Sequence, residues 1–296
     1  MRKEQKIYSI IACILSVVLF FGAYLYWDNN TIEVSEYVYQ NDKIPESFDS
    51  VRILQISDLE SKEFGEGNSY LLEKCIEVKP DYIFITGDLL GSSDTDTTVA
   101  LNLIKGLSSN LPSEIYYVHG NHEMLLDDNA LATFEAALTQ FGVHILDGEY
   151  QKIYRGGDCV NILGFQDVSW YSREYGFHYY RDYADTDEYF EFVWERLARQ
   201  TGDDFTMLLS HHCECFNIYK RFDVDLIFSG HAHGGIVRLP FNNALFAPEQ
   251  GFFPEYFAGR YESNGRTMFV SRGLGMTNGV LRVFNRANLN LIVLKK

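Results

Sequence analysis

The sequence predicts an α/β protein in which one transmembrane helix precedes a single domain built on a largely parallel β-sheet. Two patterns predict it: an uncharged run over residues 7–27, and an alternation of buried strands with amphipathic helices that starts at residue 51. The composition agrees, because 46% of the 296 residues are hydrophobic and 15% are aromatic. That supply of apolar surface suits a large core and excludes a disordered or low-complexity chain.

The apolar run over residues 7–27 is long enough to cross a bilayer as one helix. Arg2, Lys3 and Lys6 precede it and Asp28 follows it, and an excess of basic residues marks the cytoplasmic end of such a helix. We therefore expect a single-pass protein of the cell membrane whose domain faces the extracytoplasmic side. A cleaved signal peptide is the alternative, but its apolar part usually has about 7 to 15 residues and ends at a small-x-small cleavage pattern, which this run lacks.

These patterns divide the chain into three parts. Residues 1–27 form a cytoplasmic stub and the membrane anchor, residues 28–50 a polar juxtamembrane segment, and residues 51–296 one domain without an internal repeat or linker. The formal net charge is −16. Nucleic acids are held by Lys and Arg side chains that neutralise phosphates, so we expect no nucleic acid partner.

In the first half of the domain, strands and helices alternate. Branched apolar residues bounded by turn residues predict strands over 51–56, 82–86 and 115–118. Apolar residues that recur every three or four positions predict helices over 71–78, 97–107 and 129–141. Parallel strands joined by right-handed helical crossovers satisfy this order.

The second half has shorter elements. The same criteria predict strands over 152–154, 160–164, 205–209, 224–228, 268–271 and 289–294, and one amphipathic helix over 188–199. A tyrosine-rich stretch over 170–183 has no clear periodicity. We expect this stretch to cap a pocket.

Polar clusters follow five of these strands. They are Asp58-Leu59-Glu60, Gly87-Asp88, Gly120-Asn121-His122-Glu123, Ser210-His211-His212 and Gly230-His231-Ala232-His233. Each cluster alone has an ordinary explanation as turn or helix-cap chemistry. Ligands of open α/β sheets, however, collect at the carboxyl ends of strands, and all five clusters supply metal-ligand types there. In an extended segment, Asp58 and Glu60 would point the same way, as would His231 and His233, so each pair could hold one ion.

In this order, the clusters resemble the calcineurin-like metallophosphoesterases, specifically their membrane-associated bacterial branch. The family pattern is Asp-x-His, Gly-Asp, Gly-Asn-His-Glu/Asp, a lone His after a strand, and Gly-His-x-His. The chain follows it from residue 51 to about residue 235, and residues 238–275 also look like the C-terminal part of that branch. The resemblance implies a four-layer α/β/β/α sandwich with a two-metal centre.

Carried over by position, the resemblance also implies a site. Asp58, Asp88 and His233 would hold one divalent ion, and Asp88, Asn121, His211 and His231 the other. A hydroxide that bridges the two ions would attack the phosphorus, and His122 would protonate the leaving group. Mixed imidazole and carboxylate ligands suit Mn²⁺, Fe or Zn²⁺, and we favour Mn²⁺.

Glu60 stands where the family has the histidine of Asp-x-His. If Glu60 binds the first ion, it adds a negative charge to the site, favours harder ions such as Mn²⁺ or Mg²⁺, and attenuates the Lewis acidity of the ion. If Glu60 instead turns outward toward Lys62, the first site is weak or empty. Both alternatives remain open at this point.

The sequence therefore predicts a metal-dependent phosphoric ester hydrolase that acts on a phosphodiester or phosphomonoester. Two alternatives stand beside it. One is a pseudoenzyme, a metal-binding or scaffold domain at the membrane that Glu60 has disabled. The other is a nuclease, against which the acidic charge and the anchor argue. The membrane location favours a lipid or cell-envelope phosphoester as the substrate.

Overall fold

The computed structural model describes residues 2–93, 95–169, 183–241, 243–276 and 279–296. The helices are α1 (Arg2–Asn30), α2 (Ser69–Glu77), α3 (Thr98–Asn110), α4 (Asp128–Gln140), α5 (Tyr183–Thr201) and α6 (Phe216–Tyr219). The strands are β1 (Ile32–Gln40), β2 (Arg52–Ile56), β3 (Tyr82–Thr86), β4 (Glu114–Val118), β5 (Val143–Ile145), β6 (Tyr150–Arg155), β7 (Asp158–Gly164), β8 (Thr206–His212), β9 (Leu226–Gly230), β10 (Arg238–Leu239), β11 (Asn243–Ala244), β12 (Phe246–Ala247), β13 (Gly251–Phe252), β14 (Gly259–Ser263), β15 (Arg266–Val270) and β16 (Ala287–Lys295). The expected pocket cap falls mostly on residues 170–182, which lie outside the described residues.

Twelve of these strands form two six-stranded sheets. The first has the order β1-β16-β2-β3-β4-β5, and the second has the order β14-β15-β9-β8-β7-β6. Strands β2 to β5 are parallel to one another, as are β7, β8, β9 and β15. The predicted parallel character is confirmed, and it places the carboxyl ends of β2, β3 and β4 at one edge of the first sheet.

Three apolar cores separate four layers. Phe84 of the first sheet faces Phe228 of the second, with ring centroids 5.1 Å apart, so the sheets pack face to face. On either side of Phe84 in β3, Ile83 and Ile85 point to the opposite face and pack against α2, α3 and α4. The outer face of the second sheet packs against α5 and α6. This alternation buries both faces of the central strands, and the predicted four-layer sandwich is confirmed.

The chain enters the first sheet earlier than the sequence suggests. The segment 28–50, which we expect to be a juxtamembrane connection, contains β1, which pairs in parallel with β16 along all of its residues. Only the ends of β1 are deeply buried, at Ile32 and Tyr39. An edge strand with a half-exposed, polar middle has a weak hydrophobic pattern, which explains why composition does not mark it as part of the domain.

Helix α1 precedes β1, and the domain does not cover the apolar part of this helix. The most apolar 18-residue window of its section Gln5–Asn30 has a mean hydropathy of 2.3, and the domain buries none of that window. Its last turn is different, because Asp28 and Asn29 are buried against the domain. There, Asn29 exchanges two hydrogen bonds with the backbone of Arg282, and Asp28 accepts one from the backbone of Asn285. The end of α1 is therefore fixed to the domain.

Candidate metal centre

The predicted site residues lie on loops at the carboxyl ends of five strands. Asp58 and Glu60 follow β2, Asp88 follows β3, Asn121 and His122 follow β4, His211 lies near the end of β8, and His231 and His233 follow β9. The first two loops run side by side, because the amides of Asp58 and Glu60 donate to the carbonyls of Gly87 and Asp88, both at 3.0 Å. All five loops meet where the two sheets face each other.

Backbone strain is concentrated in these loops. Asp58, Glu60, Asp88, His231 and His233 all have positive φ angles, between 48° and 68°. L-residues rarely adopt this left-handed region, and such residues cluster at functional sites, where the surrounding fold holds them in place. The fold therefore holds five candidate side chains in directions that relaxed backbone would not give them.

The structure corrects one inference from the sequence. The extended-segment argument predicts that His231 and His233 face the same group. Neither backbone is extended, and the side chains diverge: His233 lies beside Asp58, whereas His231 lies beside His211. The two histidines belong to different halves of the site.

The first half contains Asp58, Glu60, Asp88 and His233. Nε2 of His233 lies 3.5 Å from Oδ1 of Asp58 and 3.3 Å from Oε1 of Glu60. Ligand atoms of Asp58, Asp88 and His233 all lie within 4.8 Å of one another. Asp58, Asp88 and His233 converge, Glu60 faces the same imidazole, and all four side chains are almost fully buried.

Glu60 points into this cluster and not outward. Its second oxygen, Oε2, lies 3.2 Å from Nδ1 of His122. Lys62, the partner expected if Glu60 turned outward, donates instead to the carbonyl of Asn29 at the end of α1 and lies over the ring of Phe64. Of the two orientations left open by the sequence, the structure has the inward one.

The second half contains Asp88, His211 and His231. Nδ1 of His211 lies 2.6 Å from the carbonyl oxygen of Thr86, which can only accept, so Nδ1 carries the proton. Nε2 of His211, the ring nitrogen that faces the cluster, lies 3.2 Å from both Oδ2 of Asp88 and Nδ1 of His231. A backbone carbonyl that fixes the tautomer in this way is typical of histidines that bind metals.

His231 is oriented by a residue that the sequence analysis missed. Its Nε2 lies against a carboxylate oxygen of Glu249, so Nδ1 faces His211. Burial opposes ionisation of Glu249, but the imidazole of His231 lowers the pKa of this carboxyl group. Glu249 lies 18 positions after His231, in a stretch with short strands and no motif, and no sequence pattern singles it out.

His122 lies beside two carboxylates of the site, those of Glu60 and Asp88. Its Nδ1 lies 3.2 Å from Glu60 and 3.5 Å from Asp88. Burial lowers the pKa of His122, but the negative charges of Asp88 and Glu60 outweigh it and raise this pKa to about 10. The imidazole therefore holds a proton at neutral pH in this arrangement.

Glu123 fixes two of the loops to each other. One of its carboxylate oxygens accepts hydrogen bonds from the amides of Asp88 and Gly120, and the other accepts one from the amide of Leu90. Gly120 has to be glycine, because a Cβ there would lie 2.1 Å from Oδ1 of Asp88. Both features position the carboxylate of Asp88, which also accepts from the amide of His122.

The electrostatics and the unpaired oxygens of the cluster fit bound cations. Burial opposes ionisation of Asp88, but His211 and His122 hold the pKa of its carboxyl group well below the usual range. Among the described residues, Oδ2 of Asp58 and Oδ1 of Asn121 are buried without a hydrogen-bond partner, and Oε1 of Glu60 and Oδ2 of Asp88 face imidazole nitrogens. Such orphaned acceptors are costly unless a cation satisfies them, and oxygen beside imidazole nitrogen suits divalent transition metals.

Comparison with known proteins shows which family the chain resembles. The sequence model of the calcineurin-like phosphoesterase family matches residues 51–235. The chain is 27% identical to the metallophosphoesterase YkuE of Bacillus subtilis, over 93% of this chain and 90% of that protein. It is 24% identical to YkoQ of the same organism, over 91% and 94%. It is 26% identical to a transmembrane protein with a metallophosphoesterase domain from Danio rerio, over 86% and 55%.

The family match covers more than half of the chain and ends at the Gly-His-x-His cluster, so it contains every strand end that carries a predicted site residue. Members of this family use divalent metal ions, and the buried ligand groups described above are suited to hold them. The family prediction made from the sequence is confirmed: the chain belongs to the calcineurin-like phosphoesterase family and is a metallophosphoesterase.

Proposed function

We propose that this chain is a membrane-anchored phosphoric ester hydrolase with a two-metal centre. Asp58, Glu60, Asp88 and His233 would hold one divalent cation, and Asp88, Asn121, His211 and His231 the other. The observation that carries the proposal is the position of Asp88, whose buried carboxylate belongs to both ligand groups. We favour Mn²⁺ over Fe and Zn²⁺, because three carboxylates in the first group make it a hard, anionic site.

The residues of the chain divide the chemistry between them. When bound, two such cations would neutralise phosphoryl charge and make a shared water a good nucleophile. Asp88 keeps the two ligand groups together, and Glu123 and the glycines around it hold that carboxylate in place. Since Nδ1 of His122 faces the carboxylates of Glu60 and Asp88, its other nitrogen is available to donate a proton to the departing oxygen.

The hydrolytic function is tested with the full-length chain purified in detergent. It should hydrolyse bis-p-nitrophenyl phosphate when Mn²⁺ is added and lose that activity in EDTA. The matched Asp88→Asn preparation shows how much of the activity comes from contaminants. No metal-dependent turnover above that background would favour the pseudoenzyme alternative, and cleavage of DNA at a higher rate than of the nitrophenyl ester would favour a nuclease.

Changes at Glu60 test whether its carboxylate takes part in the first group. Glu60→Ala should lower the metal content, because it removes an oxygen that faces His233. Glu60→His should move the rise of the pH-rate profile to lower pH, since the site loses a negative charge. Metal analysis and pH-rate profiles check both expectations. If neither variant changes metal content or profile, Glu60 has no part in the centre.

Glu249→Gln should weaken metal binding about 10- to 100-fold, the usual effect of removing a carboxylate that orients a metal-binding histidine. Glutamine keeps the shape of the side chain but not the charge that faces His231. Titration of the metal-free protein with Mn²⁺ measures the change, with the exposed Glu255→Gln as the matched control. Equal affinities of the two variants would remove Glu249 from the centre.

The anchor and its direction are part of the proposal. Two observations support membrane attachment: α1 is apolar and uncovered, and the relative from Danio rerio is described as a transmembrane protein. The basic residues before α1 support an extracytoplasmic domain. Protease added to intact cells or spheroplasts should digest residues 28–296. Digestion only after the membrane is permeabilised would reverse the orientation.

A further inference from the structure

The surface beside the end of α1 carries phenylalanines that the domain does not cover. Phe241 is 96% exposed, Phe252 and Phe253 are each 70% exposed, and Phe284 is 58% exposed. Val280 and Leu281 are also about half exposed. Contiguous exposed apolar surface of this kind marks a site of protein or membrane contact.

Backbone hydrogen bonds join these residues into one surface. Val237 pairs with Val283, the amide of Leu245 donates to the carbonyl of Val237 at 2.9 Å, and the amide of Phe253 donates to the carbonyl of Leu245 at 3.0 Å. We call the described segments 236–241, 243–253 and 279–286 the platform. A pocket of about 520 Å³ opens in it, beside Phe284.

Three of the exposed phenylalanines are held in an unfavourable backbone conformation. Phe241, Phe253 and Phe284 have φ angles of 66°, 58° and 54°. A positive φ is uncommon for L-residues other than Asn and Asp, and it is an outlier for a residue with a bulky side chain. Glycine adopts a positive φ without a steric penalty. A water-exposed aromatic side chain gains nothing from such strain, so the strain points to a role for these rings outside the domain.

Helix α1 fixes the position of the platform. The ring of Phe284 packs against Tyr24 of α1, with centroids 5.4 Å apart. Arg286 lies over the ring of Trp27, 4.6 Å from its centroid. Tyr24 and Trp27 belong to the aromatic end of the apolar run, and such residues lie at the head-group level of a bilayer. If α1 spans the membrane, the platform lies at that same level.

The platform also touches the metal centre. Glu249 of the platform contacts His231, and the side-chain amide of Asn285 donates to the carbonyl of His233 at 2.7 Å. Asn285 receives its position from Asp28 at the end of α1. One short chain of hydrogen bonds therefore runs from the anchor to a candidate metal ligand.

The charge of the platform differs from that of the whole chain. Its partly exposed charged residues are Arg238 and Arg286 against Glu249, since Arg282 is buried, whereas the chain as a whole has a net charge of −16. A locally basic surface suits anionic lipid head groups, which would repel the rest of the domain.

We propose that the platform lies in the head-group layer of the bilayer that α1 crosses, so that the metal centre takes its phosphoester from lipids of that leaflet. This rests on the anchored phosphoesterase proposed above and adds its substrate class, a lipid that carries a phosphoester head group. The exposed rings enter the acyl boundary, Arg238 and Arg286 lie near the phosphates, and the centre lies beside the head groups.

Depth in the membrane is measured independently of hydrolysis. The full-length chain is inserted into vesicles of phosphatidylcholine and phosphatidylglycerol, with or without bromine on the acyl chains. The fluorescence that Phe253→Trp adds to the parent chain should fall about twofold or more in brominated vesicles, because acyl bromine quenches tryptophan at that depth. Tyr154→Trp is the matched control, since Tyr154 is exposed on β6 next to the β6–β7 turn, away from the strand end that carries His211. Equal quenching of the two variants, or none of Phe253→Trp, would overturn the proposal.

The consequence for catalysis is tested with two esters that share one leaving group. p-Nitrophenyl hexadecyl phosphate is presented in the vesicles and p-nitrophenyl methyl phosphate in solution. The double variant Phe241→Gly/Phe253→Gly relieves backbone strain, so it should fold, and it should lose about tenfold activity on the vesicle substrate and less than about twofold on the soluble one. Equal losses, or no loss on either, would overturn the proposal. If the parent hydrolyses neither ester, the proposed function fails, and quenching still decides whether the platform enters the bilayer.

Discussion

Replacing Asp88 with asparagine is expected to lower phosphoester turnover by about 10³-fold or more, on activated and alkyl esters alike. Asparagine keeps the size of the side chain but removes the negative charge that both ligand groups share. It also removes the charge that Nε2 of His211 and Nδ1 of His122 face. Turnover of bis-p-nitrophenyl phosphate and circular dichroism, measured together, separate a loss of chemistry from a loss of fold.

The matched control for this change is Asp167→Asn. Asp167 is also a buried carboxylate paired with a histidine, His212, at 2.9 Å, but it lies outside the eight predicted site residues. We expect Asp167→Asn to retain most of the metal and much of the activity. If the two variants lose activity equally, the special role of Asp88 is contradicted.

His122→Ala should affect substrates according to their leaving groups. On an alkyl phosphoester the loss should be about 10²- to 10⁴-fold, because an alkoxide needs a proton as it departs. On a nitrophenyl ester the loss should be small, since nitrophenolate leaves without help. The metal content should stay at the parent level if the imidazole acts as a proton donor and not as a ligand.

His144→Ala serves as the control for His122→Ala. His144 stacks on Tyr116 in the first sheet, with centroids 4.8 Å apart, and is not among the predicted site residues. It should leave both rates unchanged. Equal losses of His122→Ala on alkyl and nitrophenyl esters would exclude His122 as the general acid.

The sequence predicts the layers of the fold well because buried strands have a simple pattern. In β3, every residue is buried, and the neighbours Ile83 and Phe84 enter different cores. A continuous apolar run between turn residues marks such a strand without any knowledge of its partners. Edge strand β1 has no such mark, because only its pairing with β16 makes it part of the sheet.

The same distinction applies to the site. The eight predicted residues lie in motifs at strand ends, where local sequence and sheet topology together bring them close. Glu249 lies in no motif, and only the folded chain brings it to His231. The extended-segment argument was wrong about His231 and His233, because their left-handed backbones depend on the tertiary fold, whereas the family pattern assigned them to different ions.

The sequence also does not reveal the platform. Phe241 and Phe253 have no periodic pattern, and from sequence alone they look like ordinary core residues. Only their exposure and positive φ angles, together with the packing of Phe284 on Tyr24, separate them from the core.

Metal stoichiometry tests the central claim most directly, the claim that two ligand groups share Asp88. Full-length parent, His233→Ala, His211→Ala and Asp88→Asn chains are loaded with Mn²⁺, desalted and analysed by inductively coupled plasma mass spectrometry. The account predicts about two ions per parent chain, about one in each histidine variant and almost none in Asp88→Asn. Each histidine belongs to one ligand group, whereas Asp88 belongs to both. An equal metal content in all four proteins, or a parent chain that hydrolyses phosphoesters with no bound ion, would contradict it.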